Sequence, residues 1–216
     1  MAKHVGAYRK FLEHIDDEVS TIIELGSRDL LDAIHLSQRF SADVYSWECN
    51  PYAIALCKSN LLQYKHTIGK RSGVHLIEKA VWSEPGTIKF YPVTNGNHGA
   101  SSCFKANLDY PYEQYEQSEV EVECMRVDDW LKENCVPTPE LVCMDLQGAE
   151  MEALKSFGDL LHEVQYIITE GQKKPLYHDT PLIYDLAGYL KDYGFELVAQ
   201  TEVNDWFGDY LFVKES

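Results

Sequence analysis

Four carboxylates share one kind of place in this sequence. Glu24, Glu48, Asp145 and Glu170 each close a short apolar run: Thr21-Ile22-Ile23 before the first, Val44-Tyr45-Ser46-Trp47 before the second, Leu141-Val142-Cys143-Met144 before the third and Val164-Gln165-Tyr166-Ile167-Ile168-Thr169 before the last. An acid at the end of a buried strand is costly unless a cation or several hydrogen-bond donors meet it. Singly, each reads as a helix N-cap or a solvated turn. Four on one rim can instead hold the hydroxyls and the positive charge of a ligand, or take a proton from a nucleophile.

The run Glu24-Leu25-Gly26-Ser27-Arg28-Asp29 converts a strand into a turn and then a helix, with Gly26 at the turn and Ser27 or Asp29 as the cap of a helix starting near Arg28 or Leu30. Glu48 follows Gly26 by 22 residues, close to the spacing at which Rossmann-like folds set an acid on ribose hydroxyls. A dinucleotide site asks for G-x-G-x-x-G to cradle a pyrophosphate, whereas this turn has one glycine and an acid that repels phosphate. S-adenosylmethionine, with a ribose, an ammonium and a sulfonium but no phosphate, suits that charge pattern. A nicotinamide-dependent dehydrogenase is the rival from the same fold, and a donor- or partner-binding domain without catalysis is the rival from another class.

Methyl transfer from a sulfonium is an in-line displacement, so positioning dominates and a hydroxyl acceptor needs a nearby base. Asp145 is the first candidate, Glu170 the second and His98 the third, the last from a loop rich in Asn, Gly and Ser. Ser101 and Ser102 are placed to orient methyl donor or acceptor. A divalent cation between Asp145 and Glu170 is an alternative to direct proton removal, and not the preferred one.

These residues need a scaffold. The chain has 216 residues without a Pro/Gly/Ser linker, which points to one domain over 1–216 with a loop or hairpin insertion at about 86–124. Strands and helices alternate, so the expected fold is α/β, a doubly wound, mostly parallel sheet with helices on both faces and ligands at the carboxyl ends of its strands. A helix is expected over Tyr8 to Val19, with Asp16-Asp17-Glu18 leading into the first strand. A third strand is expected over Val74 to Val81, a hairpin arm over Ile88 to Tyr91, an antiparallel edge strand over Glu119 to Cys124, and two final antiparallel strands. Thirty-five acids against nineteen Lys and Arg give a charge of −16, which disfavours nucleic acid and anionic membranes as partners. Six cysteines without C-x-x-C pairs suit buried thiols in a reducing, cytoplasmic setting rather than a metal site. The sequence leaves the oligomeric state open, a homodimer included.

Several ordered blocks resemble the FkbM-type methyltransferases, a branch of the class I S-adenosylmethionine-dependent enzymes. The most specific is Met144-Asp145-Leu146-Gln147-Gly148-Ala149-Glu150-Met151-Glu152-Ala153-Leu154-Lys155, similar to the family's D-x-x-G-x-E-x-x-x-L. With it go Trp47-Glu48-Cys49-Asn50-Pro51, Gly99-Ala100-Ser101-Ser102, Val127-Asp128-Asp129-Trp130 and Asp209-Tyr210-Leu211-Phe212-Val213. The resemblance implies a seven-stranded sheet with one antiparallel strand, and O-methylation of a hydroxyl on a sugar or small natural product. It also implies a methyl-donor site with Glu24 and Gly26 in the first motif, Glu48 on the ribose and Ala80 and Val81 beside the adenine; Ser27, Arg28, Cys49, Asn50, Ser102 and Asp145 are further candidates for the same site. Arg28 and Leu30 stand where the family often has a second glycine.

Overall fold

The computed structural model describes residues 7–15, 18–64, 66 and 73–215. The described residues form twelve strands and five α-helices, in order: β1 Thr21–Leu25, α1 Leu31–Phe40, β2 Asp43–Trp47, α2 Pro51–Tyr64, β3 Val74–Ile77, β4 Ala80–Val81, β5 Gly86–Phe90, β6 Val93–Asn95, β7 Glu116–Gln117, β8 Val120–Met125, α3 Val127–Glu133, β9 Leu141–Met144, α4 Glu150–Lys155, β10 Tyr166–Gln172, α5 Ile183–Asp192, β11 Phe195–Glu202 and β12 Phe207–Lys214. The main sheet has seven strands in the order β11-β12-β10-β9-β1-β2-β3. All its neighbours are parallel except at β12, which runs antiparallel to both β10 and β11.

β1 and β9 are buried along their whole length, as apolar strands at the middle of a sheet covered on both sides must be. Alternate residues feed two cores. Ile22, Val44, Cys143 and Ile168 pack with Leu36 of α1 and Cys57 of α2, while Ile23, Trp47, Val142 and Ile167 pack with Leu131 of α3, Leu154 of α4 and Leu190 of α5. Helices therefore cover both faces, and the strand ends at the carboxyl rim are left for loops.

Three sequence expectations change. The N-terminal helix is replaced by two 3-10 turns, Ala7–Lys10 and Leu12–His14, whose Tyr8, Phe11, Leu12 and Ile15 still reach the core; Asp16 and Asp17 lie outside the described residues. The strand expected over Val74 to Val81 breaks at Glu78-Lys79, so β3 ends the main sheet and β4 joins another. β8 is the centre of that smaller sheet, parallel to β4 and antiparallel to β5, rather than an edge. Its alternation is real but arises because one face meets the Ala80, Phe90 and Val122 cluster and the other meets water.

Candidate active site

The carboxyl rim of β1, β2, β4, β9 and β10 surrounds a cavity of about 340 Å³, within the range of small-molecule sites. From the first turn it is lined by Gly26, Ser27 and Arg28, from the end of β2 by Glu48, Cys49 and Asn50, and from β4 by Ala80 and Val81. Asp145, Glu170, His98 and Ser101 complete the sequence-expected residues in its wall. Glu24 and Ser102 do not line it. Residues with no sequence signal for a site also reach it, Tyr8 and Lys10 from the N-terminal turns and Cys103 from the segment after β6, as does Asp209 of β12, the first residue of a block that resembles the family without a site role implied for it.

The first turn is shaped by close backbone approach. Gly26 has φ +86°, and a Cβ there would lie 2.0 Å from the Asp145 carbonyl oxygen. The glycine is thus required by the neighbouring strand end. Arg28 and Leu30 adopt left-handed φ of 56° and 68°, the conformation a second glycine would take without strain. α1 starts after Leu30, so the N-cap is Leu30, without a side-chain cap, rather than Ser27 or Asp29; Asp29 Oδ1, one position earlier, accepts the first helical amide, Leu31 N–H, at 3.1 Å. Ser27 Oγ and Trp47 Nε1 are buried without a well-formed hydrogen bond among the described residues, and both residues line the cavity.

Glu48 accepts Arg28 N–H on Oε2 and Asn50 N–H on Oε1, each at 2.7 Å. It ties the first turn to the end of β2. Asn50 Oδ1 in turn accepts Tyr52 N–H at 3.1 Å, starting α2 at Pro51. Burial pushes the Glu48 carboxyl up, and the backbone N–H groups of Asn50 and Arg28 oppose that rise.

Glu24 sits beneath the cavity, in the sheet, 1% exposed and hydrogen-bonded to Ser46, its register neighbour on β2. Burial pushes it from 4.5 to about 8, against the Ser46 hydrogen bond that favours the charged form. A folded-state value above the ordinary one means the folded chain holds the proton more tightly. That stabilisation is complete below about 4.5 and is lost as pH rises through about 8. Glu24→Gln removes the ionisation, so its melting temperature relative to wild type should be higher at alkaline than at mildly acidic pH. A pH-independent difference in thermal melts would show that Glu24 is not a buried acid of this kind.

Asp145 follows the last residue of β9, and Glu170 lies on the adjacent parallel strand β10, two residues before its end, with Met144 opposite Thr169 in the register. The Gln147 amide joins them: Nε2 donates to Asp145 Oδ1 at 2.6 Å and to Glu170 Oε1 at 2.8 Å. Burial pushes Asp145 up to about 6, opposed by the Gln147 hydrogen bond, and pushes Glu170 well above the carboxylate range, with the Asp145 charge adding to the rise. Glu150 lies just behind, accepting Leu146 N–H at 2.9 Å and Gly148 N–H at 3.0 Å, and so closes the turn into α4. Among the described residues no three His, Cys, Asp or Glu side chains converge as a metal-ligand set. No helix of the described residues is long and apolar enough to cross a membrane.

His98 Nδ1 is 2.8 Å from the Val93 carbonyl. A carbonyl only accepts, so Nδ1 is the donor of that bond and the ring is held against β6. Ser102 Oγ donates to the Gln147 carbonyl at 2.7 Å, fixing the segment after β6 against the Asp145 turn. Gln147 lies inside a sequence block that reads as a structural turn. Tyr177, whose hydroxyl meets the Gln147 side chain, has no local signal at all.

The family model described as the methyltransferase FkbM domain matches residues 4–197. The chain is 27% identical over 202 residues to the 2-O-methyltransferase NoeI of Sinorhizobium fredii (strain NBRC 101917 / NGR234), covering 89% of this chain and 79% of that one. Among solved structures it is similar to TrmK of M. capricolum in complex with S-adenosyl-homocysteine, with a TM-score of 0.55, 11% identity and coverage of 98% of this chain and 70% of that one. It is similar also to the magnesium protoporphyrin IX methyltransferase of Synechocystis PCC 6803, at TM-score 0.53, 11% identity, 95% and 75% coverage. Likeness at these identities concerns the fold.

Proposed function

The chain belongs to the FkbM methyltransferase domain family and is an S-adenosylmethionine-dependent methyltransferase, and on that premise we propose that it methylates a hydroxyl oxygen of a sugar or small natural product in the cavity at the strand ends. The observation that carries this reading is that Glu48 and the Asp145–Glu170 pair line the same cavity from opposite sides of β1. When bound, S-adenosylmethionine supplies an electrophilic methyl group on a sulfonium. The wall fits such a ligand: it offers the under-used polar atoms of Ser27 and Trp47, apolar Ala80, Val81 and Phe90, and six acids against Lys10, Arg28 and Lys79.

Glu48 is the ribose partner in this reading. Backbone N–H groups of Arg28, Asn50 and Cys49 hold its two oxygens, and the carboxylate's remaining acceptor capacity is left for a hydroxyl. Ala80 and Val81 flank the base. Asp145 takes the acceptor's proton, with Glu170 beside it, and His98, Gly99 and Ser101 form the acceptor side. The chain works as one unit, with the 86–124 segment as its acceptor-facing insertion. The S. fredii relative is named a 2-O-methyltransferase, which supports oxygen as the acceptor atom. The charge of −16 supports an acceptor that is neither nucleic acid nor a membrane surface, and six unpaired cysteines suit the reducing cytoplasm.

Two measurements test this. Calorimetry should show binding of S-adenosylmethionine and none of NAD, and isotope-labelled methyl transfer should give an O-methyl ether on a member of a glycan and polyketide panel. Methyl appearing only on nitrogen or carbon acceptors would overturn the hydroxyl reading. Glu48→Ala should weaken binding of the methyl donor by roughly 1–3 kcal/mol, the scale of lost charged hydrogen bonds. Unchanged affinity would remove Glu48 from the site.

A further inference from the structure

Gln147 is the residue at which four segments meet, three through its side chain and one through its backbone carbonyl. Besides its two bonds to Asp145 and Glu170, its Oε1 lies 2.6 Å from the Tyr177 hydroxyl, and its backbone carbonyl accepts from Ser102. An amide nitrogen has two hydrogens, so each carboxylate receives its own. Tyr177 is buried, and its hydroxyl also reaches the Ala100 carbonyl at 3.0 Å; its one hydrogen serves the nearer Gln147 oxygen and leaves the amide nitrogen turned to the acids. Gln147 holds φ +53°, a left-handed backbone that a residue with a side chain keeps only when its surroundings fix it there. Gly148 follows at φ +105°, where a Cβ would meet Thr180 at 2.7 Å. The turn cannot relax.

We propose that Gln147, oriented by Tyr177, is a positioning residue that binds Asp145 and Glu170 into one carboxylate pair, which keeps a single proton while no cation is present and releases it to solvent when the sulfonium-bearing methyl donor enters. This rests on the reading of the cavity as the methyl-donor site. Two carboxylates anchored to one nitrogen on adjacent strands cannot separate to relieve their repulsion. The groups facing them make a second negative charge harder still: Glu48 from the end of β2, Glu150 from α4, Asp209 from β12 and Asp32 from α1 are acids. The Arg28 guanidinium opposes them at Asp145, Lys10, 3.5 Å from Asp209 Oδ2, offsets part of that acid's charge, and Tyr8, Tyr110, Tyr115 and Tyr177 are neutral phenols. Burial raises both carboxyls, Asp145 to about 6 and Glu170 well above its ordinary value, and with both held on one amide nitrogen the pair titrates as a unit. An arriving positive charge takes over the proton's electrostatic role, and the proton passes to the buffer.

The test uses the two ligands that differ by that charge. S-adenosylmethionine and S-adenosylhomocysteine are titrated into the full chain by calorimetry at about pH 6.5 in buffers of low and high protonation enthalpy, which reads protons exchanged per binding event. S-adenosylmethionine should release roughly half a proton or more beyond what the uncharged thioether product releases. Gln147→Leu should shrink that difference and Tyr177→Phe should reduce it less, both with homocysteine-product affinity within about threefold of wild type, which shows the site still folded. Equal release from the two ligands, or an undiminished difference in Gln147→Leu, would overturn the proposal. Binding of neither ligand would instead overturn the methyl-donor reading of the cavity.

Discussion

Asp145→Asn is expected to lower turnover by about 10²- to 10⁴-fold, the usual contribution of a positioned base, while affinity for S-adenosylhomocysteine stays within a few-fold of wild type. The substitution keeps a carbonyl oxygen where Gln147 Nε2 donates at 2.6 Å, so the local hydrogen bond survives and only the proton-accepting charge is lost. With burial raising the Asp145–Glu170 pair, the wild-type rate at sub-saturating methyl donor should rise with pH as the pair loses its proton, and the limb should flatten at saturating donor. The variant's residual rate should lack that limb. Steady-state turnover with a hydroxyl acceptor, set beside product affinity from calorimetry, separates the two effects. A parallel loss of both would make Asp145 a binding residue.

Gly26→Ala should be the most destabilising single-methyl change at the site. Its Cβ would stand 2.0 Å from the Asp145 carbonyl oxygen and 2.9 Å from its carbonyl carbon, both backbone atoms of a central strand end that cannot swing aside. The left-handed φ of +86° adds strain that alanine feels and glycine does not. Together these should cost roughly 3 kcal/mol or more, seen as a melting temperature lowered by roughly 6–12 °C. The structural damage falls between β1 and β9, where Asp145 N–H also donates to the Leu25 carbonyl at 3.0 Å, so turnover should fall with stability. A melting temperature equal to wild type would mean that the close approach of the two strand ends is not as described.

Arg28 and Leu30 illustrate how far local reading goes. The sequence marks them as standing where a related site often has glycine, and the structure gives both left-handed backbone angles. The chain keeps the turn's shape without the glycine, because Glu48 grips the Arg28 N–H and Leu30 is fully buried in the core. Those restraints come from residues far along the chain. The strand expected over Val74 to Val81 fails for the same kind of reason. Its apolar pattern runs on, but Ala80 and Val81 pair with Cys124 and Met125 instead of β2, and a pairing partner 44 residues away leaves no mark on local periodicity.

The sequence by itself determined the alternation of buried strands and covering helices, the rim on which Glu48, Asp145 and Glu170 stand, and the charge pattern that favours a phosphate-free cation. Each of these depends on residue type and short spacing, which strand and helix periods translate directly into faces and ends. Only the tertiary structure decided that Glu24 lies under the cavity as a buried acid bound to Ser46, and that Tyr8, Lys10, Cys103 and Asp209 reach the cavity. It alone brought Tyr177 to Gln147 across 30 positions of chain. Such contacts join strand ends and loops from opposite parts of the sequence. Their geometry is set by how the sheet packs and twists, and no single segment carries it.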